Sequence, residues 1–401
     1  MKFVHVEDFF HPNAGYQLNL LTKLQVEQGH DVTIVASEMQ KMPDFLTSFF
    51  GKDNIEEKDK QFTERTGVKV VRHPIYRFYS GRSIFKPGLH KKIRSLKPDV
   101  LFMHNEDTLT GIKLLWAYKR MNVPYVLDCH MLEMASENKF SEYFRKFYRK
   151  FVTPIILKNN IPLIRVVDSD FVQKHYHIPL EKTKLLSFGT DVNYFKPDSE
   201  LKQKFRAELK IEKDDYVVLY AGKLDVSKGA LQFAEAIKNK IELENRAIKF
   251  VIVGNSLDNE YGKKVDSILQ ASENNILRFP TQNYYELVRF YQLADVAVYP
   301  RQCSMSYFEA QACGLPVVLE ENEINIERAS NKKGIIFSEG SVEEFRQAIF
   351  TFGSMPKEEF SIYKNNSVKN IVDNFNFVNV AQKFTDIMLD EYHKFKNRRR
   401  N

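Results

Sequence analysis

The chain has 401 residues, 43% hydrophobic and 28% charged, with few Gly and Pro and no long low-complexity tract, which excludes a disordered or fibrous protein and predicts two or three folded domains. Its net charge of +7, from 59 basic and 52 acidic residues, favours anionic partners: phosphates, nucleotides or an acidic membrane surface. No helix-turn-helix, zinc-finger or RNP-type pattern accompanies that charge, so nucleic acid is not the expected partner.

Met1-Lys2 runs directly into Phe3-Val4-His5-Val6 and then Glu7-Asp8, without the apolar segment of a signal peptide, and no apolar run approaches the roughly 18 residues of a membrane span. A cytoplasmic protein is expected. Cys129, Cys303 and Cys313 are widely spaced, which predicts free thiols and no zinc site.

Lys2 to Val6 reads as a strand, HPNAGYQ as a loop, Leu18 to Gln28 as a helix stopped by Gly29, and Val32 to Ala36 as a second strand. This βαβ unit lacks G-x-G-x-x-G, so no nicotinamide cofactor is indicated. Gly15 stands either where phosphates approach the helix amides or where a turn needs positive φ. Further apolar runs at Val68–Val71, Val100–Met103, Tyr125–Leu127 and Leu163–Val167 predict a parallel sheet covered on both faces. Ligands sit at the carboxyl ends of such strands, and two of these ends carry His104 and His130. Phe140, Phe144, Phe147 and Phe151 recur at helical spacing within residues 139–151, flanked by Arg145, Lys146, Arg149 and Lys150. They form either a core-facing stripe or a face resting on an anionic membrane.

Residues 187–200 read as a hinge, after which a second α/β set begins: a strand at Tyr216–Ala221, a helix at Lys228–Lys238, strands at Lys249–Val253 and Val296–Tyr299, and a helix at Tyr284–Leu293 between them. Gly222, Lys223 and Lys228, between a strand end and a helix start, make a phosphate site of cations and amide dipoles. In AVYPRQCSMSYFEAQACGLPVV, residues 297–318, a helix is expected from Met305 to Cys313. Glu309 there either completes a capping box with Ser306 or accepts from a sugar diol. Asp168-Ser-Asp170 follows a strand but is too short a pattern to mark a metal site. Phe377, Val380, Phe384, Ile387 and Met388 make one apolar face of a final helix, followed by a basic tail.

Gly222-Lys223 with Lys228-Gly229, the hinge Gly189-Thr-Asp191, FEAQACGLPVV, GHDVTIVAS, KPDVLFMH and VPYVLDCH together resemble the bacterial retaining glycosyltransferases of the GT-B fold, the family-4-like group 1 enzymes. The resemblance implies an α/β protein with two Rossmann-like domains, parallel sheets facing a central cleft and a last helix crossing back: residues 1–190 for the acceptor, 191–375 for the nucleotide sugar, and 376–401 as crossover helix and tail. It implies that Glu309 holds the donor ribose, that Lys223 and Lys228 hold the diphosphate with Gly222 and Gly15 close by, that His130 lies by the donor sugar, and that Phe279-Pro280 lies near the base. Ser304 and Met305 complete the implied donor set. No metal or cofactor is implied beyond the UDP- or GDP-linked sugar itself.

One departure stands out. The family usually carries a second glutamate eight positions before the one matching Glu309, in a longer loop; here that position is Arg301, and the loop is shortened. The resemblance as a whole implies sugar transfer to a glycan or lipid-linked glycan in cell-surface polysaccharide synthesis, and the departure at Arg301 motivates the first of its alternatives. A silent nucleotide-sugar-binding subunit and a nucleotide-sugar epimerase of the same fold stay open as alternatives. A peripheral position on the inner membrane face is open through residues 139–151.

Overall fold

The computed structural model of the chain describes residues 1–43, 47, 51–79, 82–131, 140–301 and 305–400, with residues 399 and 400 described by their backbone alone. Lys139, Cys303 and Ser304 lie outside the described residues. The chain divides into two compact units, Met1–Phe188 with Phe377–Asn401, and Gly189–Asn376.

In the first unit, β1 (Lys2–Glu7), β2 (Asp31–Ser37), β3 (Lys69–His73), β6 (Val100–Met103), β7 (Tyr125–Cys129), β8 (Leu163–Arg165) and β9 (Thr183–Leu185) form a parallel sheet in the order β3-β2-β1-β6-β7-β8-β9. The central strands are buried on both faces, which is why they read as unbroken apolar runs rather than alternating ones. A separate antiparallel hairpin, β4 (Ile75–Tyr79) with β5 (Arg82–Phe85), follows β3; the apolar-run reading misses it.

The Phe377–Arg400 helix belongs to this unit. Phe377, Val380, Phe384 and Met388 are buried; the helix packs on the Gln17–Glu27 helix and on β6 and β7, with the Phe384 ring 5.9 Å from that of Phe102.

In the second unit, β10 (Tyr216–Ala221), β11 (Ile248–Val253), β12 (Asn275–Phe279), β13 (Val296–Tyr299), β14 (Val317–Glu320) and β15 (Gly334–Phe337) form a parallel sheet in the order β12-β11-β10-β13-β14-β15. Its core joins Val218, Phe233, Phe250, Val298, Phe345 and Phe352. Both sheets reverse strand order once, between β1 and β6 and between β10 and β13. Helices diverge to opposite faces at such a point and leave a crevice beyond the strand ends.

Candidate active site

In the second unit, Lys223 stands two residues past the end of β10, and Arg301 two past the end of the adjacent β13. Between Lys223 and the next helix the chain makes a tight turn, Val226–Lys228, which Asp225 caps by accepting from the Lys228 amide at 2.9 Å. The helix that follows spans Ala230–Ala236, so Lys228 lies on the capped turn before it and not in its first turn. Gly229 has φ +68°, and a Cβ there would meet Pro300 and the Arg301 Cβ at 3.0–3.1 Å; only glycine lets the two loops close up. Across them, the Arg301 guanidinium donates to the Val226 carbonyl at 3.3 Å. On the other side Gly254, at φ +151°, approaches so closely that a Cβ would lie 1.9 Å from the Gly222 oxygen. Lys223 is half-buried, and burial lowers its pKa against the opposing pull of Asp225.

Glu309 sits in the helix Tyr307–Ala312, shorter at both ends than the sequence suggests. Ser306, at the cap position, takes helical dihedrals, and its side chain makes no cap hydrogen bond. The capping box is therefore not formed, which removes the structural explanation for this glutamate. Instead Glu309 is buried, and its Oε1 accepts from the Thr190 hydroxyl at 3.2 Å and the Tyr284 hydroxyl at 3.1 Å. Burial raises its pKa to about 7, partly offset by these hydrogen bonds. A carboxyl poised near neutrality on two hydroxyls is suited to accept from, or exchange for, the hydroxyls of a ligand diol.

Phe279 ends β12 with its ring 5.0 Å from that of Phe290, and exposed Pro280 follows. Both line one end of a hollow of about 790 Å³ that runs along β12 and the Glu260–Gln270 helix, from Ser272 and Asn274 to Gly254 and Ser256. Met305 is exposed on the turn before the Glu309 helix.

The first unit carries a chain of polar groups at its own strand ends. His5 on β1 donates from Nε2 to the Gln25 Oε1 at 2.8 Å, and its Nδ1 lies 3.0 Å from His104 Nε2. His104 Nδ1 lies 2.6 Å from Asp128 Oδ2, the Asn105 amide donates to Asp128 Oδ1 at 2.9 Å, and His130 Nε2 is 3.1 Å from that same oxygen. Burial alone would protonate Asp128, but His104 and His130 hold it far below the usual carboxylate range. Burial opposes a charge on His130 too, yet Asp128, and then Glu7 and Asp107, raise its pKa. His5 goes the other way: burial, then His104, lower it to about 3, so its ring is neutral near pH 7. Glu7, ending β1, is pushed up to about 7 mainly by burial, and Asn105 donates to it at 3.4 Å. His104, Asp128 and His130 also have the spacing of a metal-binding group; the pairing of Asp128 with both histidines already accounts for their closeness. Gly15, two residues before the Gln17–Glu27 helix, does not take a positive φ.

Two family models match the chain: Glycosyltransferase Family 4 over residues 15–192, and Glycosyl transferases group 1 over residues 202–393, which runs from the second unit into the final helix. The chain belongs to the group 1 glycosyltransferases. A relative of this glycosyltransferase, the UDP-Gal:alpha-D-GlcNAc-diphosphoundecaprenol alpha-1,3-galactosyltransferase of Escherichia coli, is 25% identical over 322 residues, which cover 76% of this chain and 78% of that protein. Among solved structures, a glycosyltransferase from Rickettsia africae ESF-5 superposes with a TM-score of 0.73 at 15% identity, over 97% of this chain and 98% of its own. Anabaena HepE in complex with UDP and glucose gives 0.70 at 16% identity, over 96% and 98%. At such identities the likeness is one of fold, and the fold is GT-B.

Of the residues singled out in this glycosyltransferase, Gly222, Lys223, Lys228, Phe279, Pro280, Met305 and Glu309 fall in the second unit, Gly15 and His130 in the first, and Ser304 outside the described residues. Sequence reasoning missed Thr190, Tyr284, Asp128 and Glu7. Asp128 was readable, since it lies two residues before His130 and so on the same side of an extended chain. Asp168, by contrast, pairs with Arg165 at 3.1 Å on the surface.

Proposed function

We propose that this glycosyltransferase moves a sugar from a UDP- or GDP-sugar to a glycan or lipid-linked glycan, with retention, in the assembly of a cell-surface polysaccharide or glycoconjugate. The observation that carries the reading is Glu309, buried and tied to Thr190 and Tyr284, at the same C-terminal end of the sheet as the Gly222–Lys228 turn. In this reading Glu309 holds the donor ribose, Phe279-Pro280 border the base, and Lys223 and Lys228 take the diphosphate. Ser304 and Met305 lie along the same donor.

In the reaction the anomeric C–O bond to the diphosphate breaks, the acceptor hydroxyl oxygen bonds to the anomeric carbon, and its proton leaves with the nucleoside diphosphate. Charge grows on the leaving group, so fixed lysines lower the barrier there without a metal ion. His130, held by Asp128, is the group set to face the donor sugar, and Gly15 lets phosphate approach the first-unit helix amides. The E. coli relative's name, with a UDP-sugar donor and a diphosphoundecaprenol-linked acceptor, supports both substrate classes, and UDP in the HepE complex supports the nucleotide.

We place the protein in the cytoplasm, peripheral on the inner membrane face. No helix among the described residues is long and apolar enough to cross a membrane. The helix Ser141–Phe151 divides its aromatic set: Phe144, Phe147 and buried Tyr148 pack on the core, while Phe140 (71% exposed), Tyr143 (75%) and Phe151 (48%) face solvent. Those three, with exposed Lys146 and Lys150, are the face suited to an anionic membrane.

The test is transfer by the purified chain from UDP- and GDP-sugars to a lipid-linked acceptor, read by product mass. Lys228→Ala and Glu309→Ala should each abolish it without unfolding; full activity in both would sink the assignment. Donor binding without transfer or hydrolysis would instead mark a silent subunit, and isomerisation of the free nucleotide sugar an epimerase.

A further inference from the structure

Away from the strand ends, the first unit holds a hollow of about 550 Å³ between the β4–β5 hairpin, the turn into the Leu89–Ser95 helix, and the Leu109–Trp116 and Tyr118–Met121 helices. Its floor is apolar, with Phe85, Leu89 and Leu114. Its wall carries Lys86, His90, Lys113, Lys119 and Arg120, and among the described residues no Asp or Glu lines it. Lys86, Lys113, Lys119 and Arg120 are exposed and make no ion pair among the described residues. Burial, followed by Arg120, Lys91 and Arg94, lowers the pKa of His90, as expected in a positive field.

The rim is aromatic. Tyr76 is 58% exposed, and Trp116, the single tryptophan of the chain, 53%. The Trp116 indole donates to the Phe151 carbonyl at 3.4 Å, and its ring meets Phe147 edge-on at 5.9 Å. Trp116 thus joins the rim of the hollow to the C-terminal end of the Ser141–Phe151 helix, where Phe151 is exposed. Cations alone would suit any phosphate; large exposed rings around them suit one attached to a bilayer, because Trp and Tyr settle at the boundary between lipid and water.

We propose that this hollow seats the phosphate of an anionic lipid headgroup, with Tyr76, Trp116 and the exposed rings of the Ser141–Phe151 helix resting at the bilayer surface. The proposal deepens the membrane reading above and rests on it. It replaces contact through one helix by a footprint with a defined charge socket.

The experiment titrates the full chain with phosphatidylcholine vesicles, with and without phosphatidylglycerol, following Trp116 emission and co-flotation. Three proteins are compared: the native chain, Lys113→Gln/Lys119→Gln/Arg120→Gln, and Phe140→Ser/Tyr143→Ser. The native chain should bind phosphatidylglycerol vesicles with a blue shift of Trp116. The triple variant should bind at least about tenfold more weakly, while its thermal shift with UDP stays native. If the triple variant binds as well as the native chain while Phe140→Ser/Tyr143→Ser does not, the helix docks alone: the hollow proposal falls and the membrane reading stands. If the native chain binds neither vesicle, both fall. Stabilisation by inorganic phosphate without vesicle binding also overturns the lipid assignment.

Discussion

His104 and Asp128 sit 2.6 Å apart, Nδ1 to Oδ2, both buried at the ends of neighbouring strands. Through the other Asp128 oxygen the same charge reaches His130, so one carboxylate orients the histidine assigned to the donor sugar and sets its protonation.

Asp128→Asn should destabilise the first unit by about 3 kcal/mol, the cost of leaving a buried, charge-assisted network short of its anion. The Asp128 pKa is depressed in the folded state. Its contribution is therefore full above the unfolded value, about pH 4, and is lost as pH falls below it. Urea midpoints of the two proteins should differ at pH 7 and converge in acid. The His130 pKa, raised in the native protein, should fall in the variant when followed by NMR.

Glu309 has the opposite sign. Its folded pKa lies above the unfolded one, at about 7, so the native state binds the extra proton between roughly pH 4.3 and 7 and stability declines across that window as pH rises. Glu309→Gln should flatten the decline, seen as a melting temperature less sensitive to pH. Tyr284→Phe, losing one hydrogen bond of about 1 kcal/mol, should raise the donor KM several-fold with little change in the far-UV spectrum.

Lys228→Ala should lower kcat/KM for transfer by about 100-fold or more, as removal of a preorganised charge partner does, and Lys223→Ala should behave similarly. Initial rates at several donor concentrations, with melting temperature as the fold control, provide the check. Unchanged rates in both variants would place the diphosphate elsewhere.

Gly254→Ala pushes a methyl into the Gly222 carbonyl, 1.9 Å away in the native backbone. The expected cost is about 1–3 kcal/mol, measured by urea unfolding, together with loss of the thermal shift with UDP as the Lys223 turn is displaced. A variant that binds UDP normally would show that the turn tolerates the shift.

Most of the sheet architecture was legible because fully buried parallel strands leave long apolar runs: Val100–Met103, Tyr216–Ala221 and Val296–Tyr299 form strands with the bounds read from sequence. Lys223 and Glu309 were legible for the same reason, since each follows a recognisable strand at short range. The partners of Glu309 were not. Thr190 lies 119 positions away, and its contact is created only by the fold. The Phe140–Phe151 periodicity marked a helix correctly, but periodicity names a face without saying what covers it, and here the core takes Phe144 and Phe147 and leaves Phe140 and Phe151 outside. The β4–β5 hairpin was missed because β4 is largely exposed and β5 is only four residues long with every second residue buried, so no apolar run announces them.

The Phe377–Arg400 helix completes the first unit, yet it is synthesised after all of the second. Until it emerges, Phe102, Gln25 and Gln28 lack their partners Phe384, Met388 and Thr385. During translation the second unit, whose ends meet where Thr190 pairs with Asn376, can close as one continuous segment while the first still waits for its last helix. The nascent first unit is therefore the stretch with most to gain from a chaperone.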